Sequence, residues 1–140
     1  MVNSVNVNPL KVRKATRTDI PRFMKTIVKA KAIGNCVPKT YFNWVVHDGI
    51  ALVAEQKNKT AGFLVAERNS KAAAHVTYVY VHPQFRSKGV GSTLMDHFLG
   101  KCRSSGVKYV DLHAKIDTTG FYKKFGFKPE GKFTMMYKRI

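Results

Sequence analysis

Acidic residues are scarce in this sequence. Its 140 residues hold 8 Asp and Glu against 25 Lys and Arg, which gives a net charge of +17 with histidine neutral. The surplus is spread evenly, 12 − 4 = +8 over residues 1–70 and 13 − 4 = +9 over residues 71–140. Such a field attracts polyanions, whether nucleic acids, acidic proteins or a multiply phosphorylated ligand. The charge therefore indicates a polyanionic partner without saying which.

Cysteines and long apolar runs are also lacking. Cys36 and Cys102 cannot form a disulfide framework, nor by themselves a structural zinc site, so no metal is expected. No stretch approaches the ~18 uninterrupted apolar residues of a membrane helix. Residues 1–9 are polar and lack the apolar centre of a signal peptide, so we expect a flexible N-terminal segment on a cytoplasmic, intracellular protein. The length fits a single domain over residues 1–140.

Hydrophobic periodicity predicts the elements of the first half of the chain. A short edge strand is expected over residues 11–15. Apolar residues at i, i+3, i+4 and i+7 from Ile20 predict a first helix, which Gly34 ends. A second short helix is expected within residues 38–47. Alternating and β-branched residues then predict a meander of three strands at 50–55, 61–67 and 75–81.

The second half changes its period. A helix is expected over residues 91–103, a strand over 107–112, a short helix over 117–125 and a final strand over 132–139. The strand–helix–strand connection implies parallel strands. The predicted fold class is α/β (α+β), with a mixed central β-sheet and helices on both faces.

The segment from Val81 to Ser92 reads Val-His-Pro-Gln-Phe-Arg-Ser-Lys-Gly-Val-Gly-Ser. A strand meets a basic, glycine-containing turn that opens directly into a helix. Glycines let a backbone approach a ligand closely, and the amides at a helix N-terminus bind anions. Arg86 and Lys88 add full charges, so the segment predicts capture of a diphosphate. It is not a P-loop, and Leu94 stands where the dinucleotide fingerprint requires a third small residue.

Two motifs carry a resemblance to a known family. Residues 86–91, Arg-Ser-Lys-Gly-Val-Gly, match the Gln/Arg-x-x-Gly-x-Gly/Ala signature of the GNAT superfamily of N-acetyltransferases. Residues 120–127, Gly-Phe-Tyr-Lys-Lys-Phe-Gly-Phe, are similar to the Phe-Tyr-x-x-x-Gly-Phe box near the C-terminus of these enzymes. The order of predicted elements is also the family order, so the resemblance covers nearly the whole chain and implies a GNAT-like acyl-CoA N-acyltransferase fold.

The resemblance implies that acetyl-coenzyme A is the cosubstrate. It would bind in a cleft where the parallel strands ending at Val81 and lying at 107–112 splay apart. The Val81 backbone would pair with the pantetheine arm, and the Val79 amide would polarise the acetyl carbonyl. The pyrophosphate would lie on the amides of Arg86, Ser87, Lys88, Gly89, Val90, Gly91 and Ser92. The amine attacks the thioester directly in this family, so neither cysteine is expected to be catalytic.

Two proton transfers remain to be assigned. Tyr122 occupies the family position of the acid that protonates the leaving thiolate, although it could simply pack beside its aromatic neighbours. His75 lies eleven residues before Arg86, where histone acetyltransferases of the superfamily carry a glutamate base and serotonin N-acetyltransferase carries a histidine. Histidine as a residue type is suited to accept a proton near neutral pH, which fits the role of a base. His75 could instead be a surface or edge-strand histidine without a catalytic role, and a chain of waters could then serve as the base. The weaker side-chain candidates for the base are Glu67, His82, His113 and His47.

The sequence departs from the family pattern on one side of the cofactor site. Lys115 stands seven residues before Tyr122, where many members have an asparagine that contacts the cofactor, and Thr118 replaces a common alanine. Lys115 and Lys124 are therefore candidates for binding the phosphates of the cofactor.

We therefore expect an acetyl-CoA-dependent N-acetyltransferase acting on a primary amine. No two acidic residues lie close together in the sequence, which disfavours an acidic groove and favours a small amine or a protein amino group as acceptor. Apolar residues in 33–44 and 132–136 could line the acceptor pocket or the core. A basic nucleic-acid- or ribosome-associated module on the same scaffold is the alternative. Non-specific nucleic-acid association and a homodimer stay open, and no membrane partner is expected.

Overall fold

The computed structural model of the chain describes residues 9–29 and 39–140. Gly34 and Cys36, which entered the sequence analysis, lie outside the described residues. The strands are β1 (Lys11–Lys14), β2 (Ile50–Gln56), β3 (Lys59–Arg68), β4 (Ala73–Val81) and β5 (Tyr109–Leu112). The helices are α1 (Ile20–Lys29), α2 (Lys39–Asp48), α3 (Val90–Ser104) and α4 (Thr119–Lys123). None of the helices in the described ranges has the length and apolar character needed to cross a lipid bilayer.

The five strands form one sheet in the order β1-β2-β3-β4-β5. The first four are antiparallel to their neighbours, and β4 pairs parallel with β5. Lys57 and Asn58 connect β2 to β3 with φ of 53° and 59°, the left-handed backbone of a two-residue hairpin turn. The predicted mixed sheet is therefore confirmed, as is the parallel pairing across α3.

Each face of the sheet is covered by helices. On one face α3 buries Leu94, Met95, Phe98 and Cys102 against β2, β3 and β4. Cys102 is 3% exposed, and burial raises the pKa of its thiol. On the other face, Phe23 of α1 and Phe42 of α2 pack in one core cluster with Phe63 of β3. The rings of Phe23 on α1 and Phe63 on β3 have centroids 4.4 Å apart. Helices on both faces are thus confirmed.

Arg13 ties the edge strand to two other elements. Its guanidinium donates two 2.8 Å hydrogen bonds to Asp19 and two more, at 3.0 and 2.8 Å, to Glu55 on β2. Asp19 is 5% exposed and also accepts the amide of Thr16. The hydrogen bonds from Arg13 are the main cause that holds the pKa of Asp19 below its ordinary value, against the opposing effect of burial. This network fixes the entry to α1 against β1 and β2.

The expected final strand over residues 132–139 is wrong. Residues 124–140 contain no helix or strand, and the outer edge of β5 has no strand partner among the described residues. Phe133, Met136 and Tyr137 are 81%, 88% and 94% exposed. These residue types favour a strand, but propensity alone does not make a strand where no ladder of hydrogen bonds is formed.

Asp19→Asn should lower the free energy of unfolding at pH 7 by about 2 kcal/mol, because hydrogen bonds between charged groups are lost. The pKa of Asp19 is depressed in the folded state, so its contribution is present above the unfolded pKa of about 4 and is lost as pH falls through the folded value. Urea unfolding at pH 7 and pH 3 measures this. Asp96→Asn, on an exposed part of α3, is the control with the same charge change. Equal deficits at both pH values would contradict the ionic origin of the effect.

Candidate active site

The site is built on the unequal pairing of β4 along its two edges. Its pairing with β3 extends to Val81, opposite Gly62, whereas its pairing with β5 ends at Val76, opposite Leu112. Beyond this point the chain after β5 leaves the sheet and a gap opens beside the second half of β4. The splayed parallel strands expected from the sequence are therefore present.

Backbone groups of β4 face this gap. The amide of His82 donates to the carbonyl of Ala61 at 2.7 Å. Hydrogen-bonded pairs alternate along an antiparallel ladder, so Tyr80 and Tyr78 bond to β3 and the amides and carbonyls of Val79 and Val81 point to the opposite side. These are the two residues for which the sequence predicted backbone contacts to the cosubstrate. An extended ligand arm could pair with them as an additional strand.

The turn after β4 has the backbone geometry that favours binding of an anion. Ser87 and Gly89 have φ of 61° and 80°, and α3 begins directly afterwards at Val90. The first backbone amide with an intrahelical acceptor is that of Thr93, which bonds to the Gly89 carbonyl at 2.9 Å. The preceding amides at positions 90–92 are those that a helix leaves without intrahelical partners. Free amides at the positive end of a 15-residue helix fit a diphosphate.

Side chains around this turn agree with that assignment. Arg86 and Lys88 are exposed, so their charges are available to a ligand. A Cβ placed on Gly89 would meet no protein atom within 4 Å, which leaves the space next to this backbone open. The Nε of Arg86 donates to the carbonyl of Val81 at 3.1 Å and holds the turn against the end of β4. The structure thus brings the turn at residues 86–91, which is predicted to bind a diphosphate and is called the diphosphate turn below, next to the strand that faces the gap.

Tyr122 lies on α4, which packs against the start of α3. A Cβ on Gly91 would lie 3.3 Å from the Phe121 ring and 3.6 Å from the Val81 side chain, so a small residue here permits the contact between these elements. Tyr122 packs on the same core as Val79, between the rings of Phe121 and Phe127. Burial raises its phenol pKa above the ordinary value of about 10, so the hydroxyl stays protonated at neutral pH. Its role as an acid stays a prediction that this environment favours.

The two lysines predicted on this side of the site flank α4. Lys115 precedes the turn that leads into α4, and its carbonyl accepts both the amide and the hydroxyl of Thr118. Lys124 follows α4, and both lysine side chains are exposed. Their contact with phosphates stays a prediction.

His75 belongs to the last pair but one of the β4–β5 ladder, one residue before Val76. Its Nδ1 is 2.8 Å from Oδ1 of Asp111, its register partner on β5. Glu67 is its register partner on β3, on the opposite side. The His113 ring stands at an angle of 67° to that of His75, with centroids 5.4 Å apart. His75 is therefore part of a polar cluster that spans three strands.

The sequence alone places neither Glu67 nor Asp111 beside His75. Glu67 and Asp111 are 44 residues apart in the chain, and only the register of β3, β4 and β5 places them on either side of His75. The sequence argument against an acidic groove considers only neighbours along the chain, whereas the register brings these two acids to either side of His75. The sequence predicts that the strands at 75–81 and 107–112 pair in parallel. This prediction makes the two strands neighbours but does not say which residues lie opposite one another.

The candidate acceptor residues divide between core and surface. Phe42 is 0% exposed and belongs to the core, whereas Trp44 is 42% exposed. Tyr41 bonds through its hydroxyl to Thr77 of β4 at 2.9 Å. Burial, with a further contribution from the Glu67 carboxylate, raises the pKa of Tyr41. Met135 lines a groove of about 840 Å³ along the outer edge of β5, and residues 33–38 lie outside the described part of the chain.

Comparison with known proteins agrees with this geometry. The domain family described as Acetyltransferase (GNAT) domain matches residues 47–129. A Methanocaldococcus jannaschii protein named as an N-acetyltransferase is 26% identical over 136 residues, which cover 84% of this chain and 60% of the relative. The chain thus spans about three fifths of the length of that relative, and about half of the Porphyra purpurea relative that is 30% identical over 91 residues.

Solved structures show the same fold. The crystal structure of Ard1 from Thermoplasma volcanium matches with a TM-score of 0.74 and 27% identity, over 85% of this chain and 82% of that one. A predicted acetyltransferase with acetyl-CoA from Clostridium acetobutylicum matches with a TM-score of 0.76 and 18% identity, over 92% and 96% of the two chains. The family match covers more than half of the chain and includes β4, the diphosphate turn and α4. This chain therefore belongs to the GNAT acetyltransferase family.

Proposed function

We propose that the protein is an acetyl-CoA-dependent N-acetyltransferase that acts on a primary amine. The observation that carries the proposal is the gap beside β4, where the backbone of Val79 and Val81 lies next to the N-terminus of α3. A ligand with an extended, amide-containing arm and a diphosphate matches this combination, because the arm needs a strand edge and the diphosphate needs free amides. Coenzyme A has both parts.

The residues present fit this cosubstrate. The open side of Gly89 admits the phosphates to the backbone, and the amides at the start of α3 and the exposed Arg86 and Lys88 receive their charge. The Val81 amide is free to pair with the arm, while its carbonyl is held by Arg86. Arg86 must release the Val81 carbonyl if the arm is also to donate a hydrogen bond to it. The overall charge of +17 draws such a polyanion to the protein.

The chemistry of transfer is then divided among three groups of the chain. Acetyl-CoA supplies an activated thioester, in which the new C–N bond replaces the C–S bond and the sulfur leaves as a thiolate. His75 accepts the proton that the acceptor ammonium must lose before its lone pair can attack. The Val79 amide donates a hydrogen bond to the carbonyl oxygen as negative charge develops there. Tyr122 donates its phenolic proton to the thiolate, the second proton of the attacking nitrogen returns through solvent to the Tyr122 phenolate, and His75 releases its proton to solvent.

The proposal is tested with acetyl-CoA and a panel of amines. The panel contains polyamines, arylalkylamines, aminoglycosides and lysine-containing peptides, and release of free thiol is followed. We expect saturable binding of acetyl-CoA by calorimetry and turnover with at least one primary amine. Absence of acetyl-CoA binding, together with salt-sensitive binding of random DNA, would instead support the nucleic-acid module and refute the enzyme.

Gly89→Val should weaken acetyl-CoA binding by at least about tenfold, because the new side chain enters the space next to the diphosphate turn. Gly106→Val is a matched control. Gly106 has φ of 81°, close to the 80° of Gly89, and a Cβ there also meets no protein atom within 4 Å. Both variants carry the same backbone strain, at the start and just after the end of α3. Calorimetry should show lost affinity in the first variant alone, and equal affinities would contradict the placement.

Tyr122→Phe should lower kcat by about 100-fold, the usual size of a general-acid contribution, with little change in the Kd of acetyl-CoA. The matched control is Tyr109→Phe, which removes a phenol that is 73% exposed on β5. Steady-state rates and calorimetry separate the two effects. A kcat that stays at the wild-type value across the pH range would exclude Tyr122 as the acid.

A further inference from the structure

We propose that Asp111 is the positioning residue of His75 and that the Glu67–His75–Asp111 row recognises the acceptor as a protonated alkylamine. The inference deepens the proposed function and rests on it for the role of His75. It starts from one contact, the 2.8 Å distance between Nδ1 of His75 and Oδ1 of Asp111. The contact joins β4 to β5 at the level of the last pairs before the two strands separate.

This contact determines which nitrogen of His75 carries the proton. An ionised carboxylate can only accept hydrogen bonds, so Nδ1 must be the donor. In the neutral imidazole the other nitrogen, Nε2, then holds the lone pair. Without a partner at Nδ1 the ring would be free to exchange between its two tautomers. Asp111 therefore keeps His75 in the form in which Nε2 can take a proton from an amine.

The surroundings of His75 favour a cationic acceptor. Glu67 faces it from β3 and Asp111 from β5, and strand spacing places the two backbones about 10 Å apart on either side of the ring. His113 follows on the β5 side, and Tyr41 of α2 covers the Thr77 and Glu67 side of the cluster. Two carboxylates here stand out in a chain that has only eight.

The acceptor class follows from this charge arrangement and from the need for a base. An alkylamine is an ammonium ion at neutral pH, so two carboxylates attract it and a base must deprotonate it. An aromatic amine is already neutral at this pH, so the carboxylates do not attract it and it does not need the base. A basic protein surface repels cations in general, and the pair of acids at His75 offsets this repulsion at the place where the amine must react.

The tautomer is tested by nuclear magnetic resonance without any substrate. The side-chain nitrogens of the histidines are observed in the 140-residue chain under conditions in which the imidazoles are neutral. The His75 signals are identified from their loss in His75→Gln. We expect the Nδ1-protonated tautomer in the native protein and in Asp111→Asn, whose amide oxygen still accepts. Asp111→Ala should change toward the Nε2-protonated form that free imidazoles prefer. An Nε2-protonated His75 in the native protein would overturn the proposal, whether or not the protein is an acetyltransferase.

Recognition of the cation is tested by titrating the same signals with n-butylammonium chloride and with n-pentanol, a neutral molecule of similar size. We expect the ammonium to shift the His75 signals and the alcohol not to do so, with a several-fold weaker response in Glu67→Gln. Asp96→Asn removes one negative charge on α3 and should respond as the native protein does. An equal response to both probes, or no response to either, would overturn the acceptor assignment.

Kinetics add a readout that structural damage alone would not produce. With the primary amine that is turned over in the panel, Asp111→Ala should lower kcat by about tenfold, while Asp111→Asn keeps most of the rate. The Kd of acetyl-CoA should be unchanged in both variants. Loss of acetyl-CoA binding would show damage to the cosubstrate site, whereas equal rates in all three proteins would refute the positioning role.

Discussion

The structure depends on the fact that β4 is paired unequally on its two sides. Toward β3 its ladder runs to Val81, and toward β5 it ends at Val76. Backbone amides and carbonyls are strong hydrogen-bonding groups that require partners. A strand with one unpaired half therefore presents a row of donors and acceptors that a ligand can satisfy. β4 also carries a bulge at Thr77, where its register with β3 shifts between Val65 and Ala66.

The other parts of the site are positioned by this strand. The chain leaves β4 at Val81, passes through a short 3-10 helix at Pro83–Phe85 and a turn, and begins α3 at Val90. The end of the strand and the positive end of the helix are therefore linked by a short connection. Arg86 reinforces the adjacency by bonding back to Val81. Close approach at Gly91 then brings Phe121, and with it Tyr122, to the same place. The arrangement of the candidate site therefore follows from β4, the connection after it, the start of α3 and the packing of α4.

Much of this could be predicted from the sequence because it is local. The turn at 86–91 lies between a strand and a helix whose periodicities are clear, and both neighbouring elements were located to within a few residues. The contact of His75 with Asp111 could not be predicted, because it requires the register between strands more than 30 residues apart. The final strand was predicted from composition alone, and composition does not show whether a partner strand is bonded to it.

The distribution of acids revises the picture of a uniformly basic protein. Asp19 and Glu55 are both bonded to Arg13, far along the sheet from β5. Glu67 and Asp111 stand on either side of His75. Half of the eight acidic residues are thus used in two specific places, one structural and one at the candidate site. The remaining surface is correspondingly more basic, which suits the approach of the proposed anionic cosubstrate.

The burial of Cys102 has a consequence for the product of the proposed reaction. Each acetyl transfer releases coenzyme A with a free thiol, and thiols exchange with protein cysteines through their thiolate forms. Cys102 is enclosed beneath α3, and its raised pKa keeps it in the unreactive thiol form. This cysteine is therefore protected from mixed-disulfide formation with the coenzyme A that the proposed reaction releases.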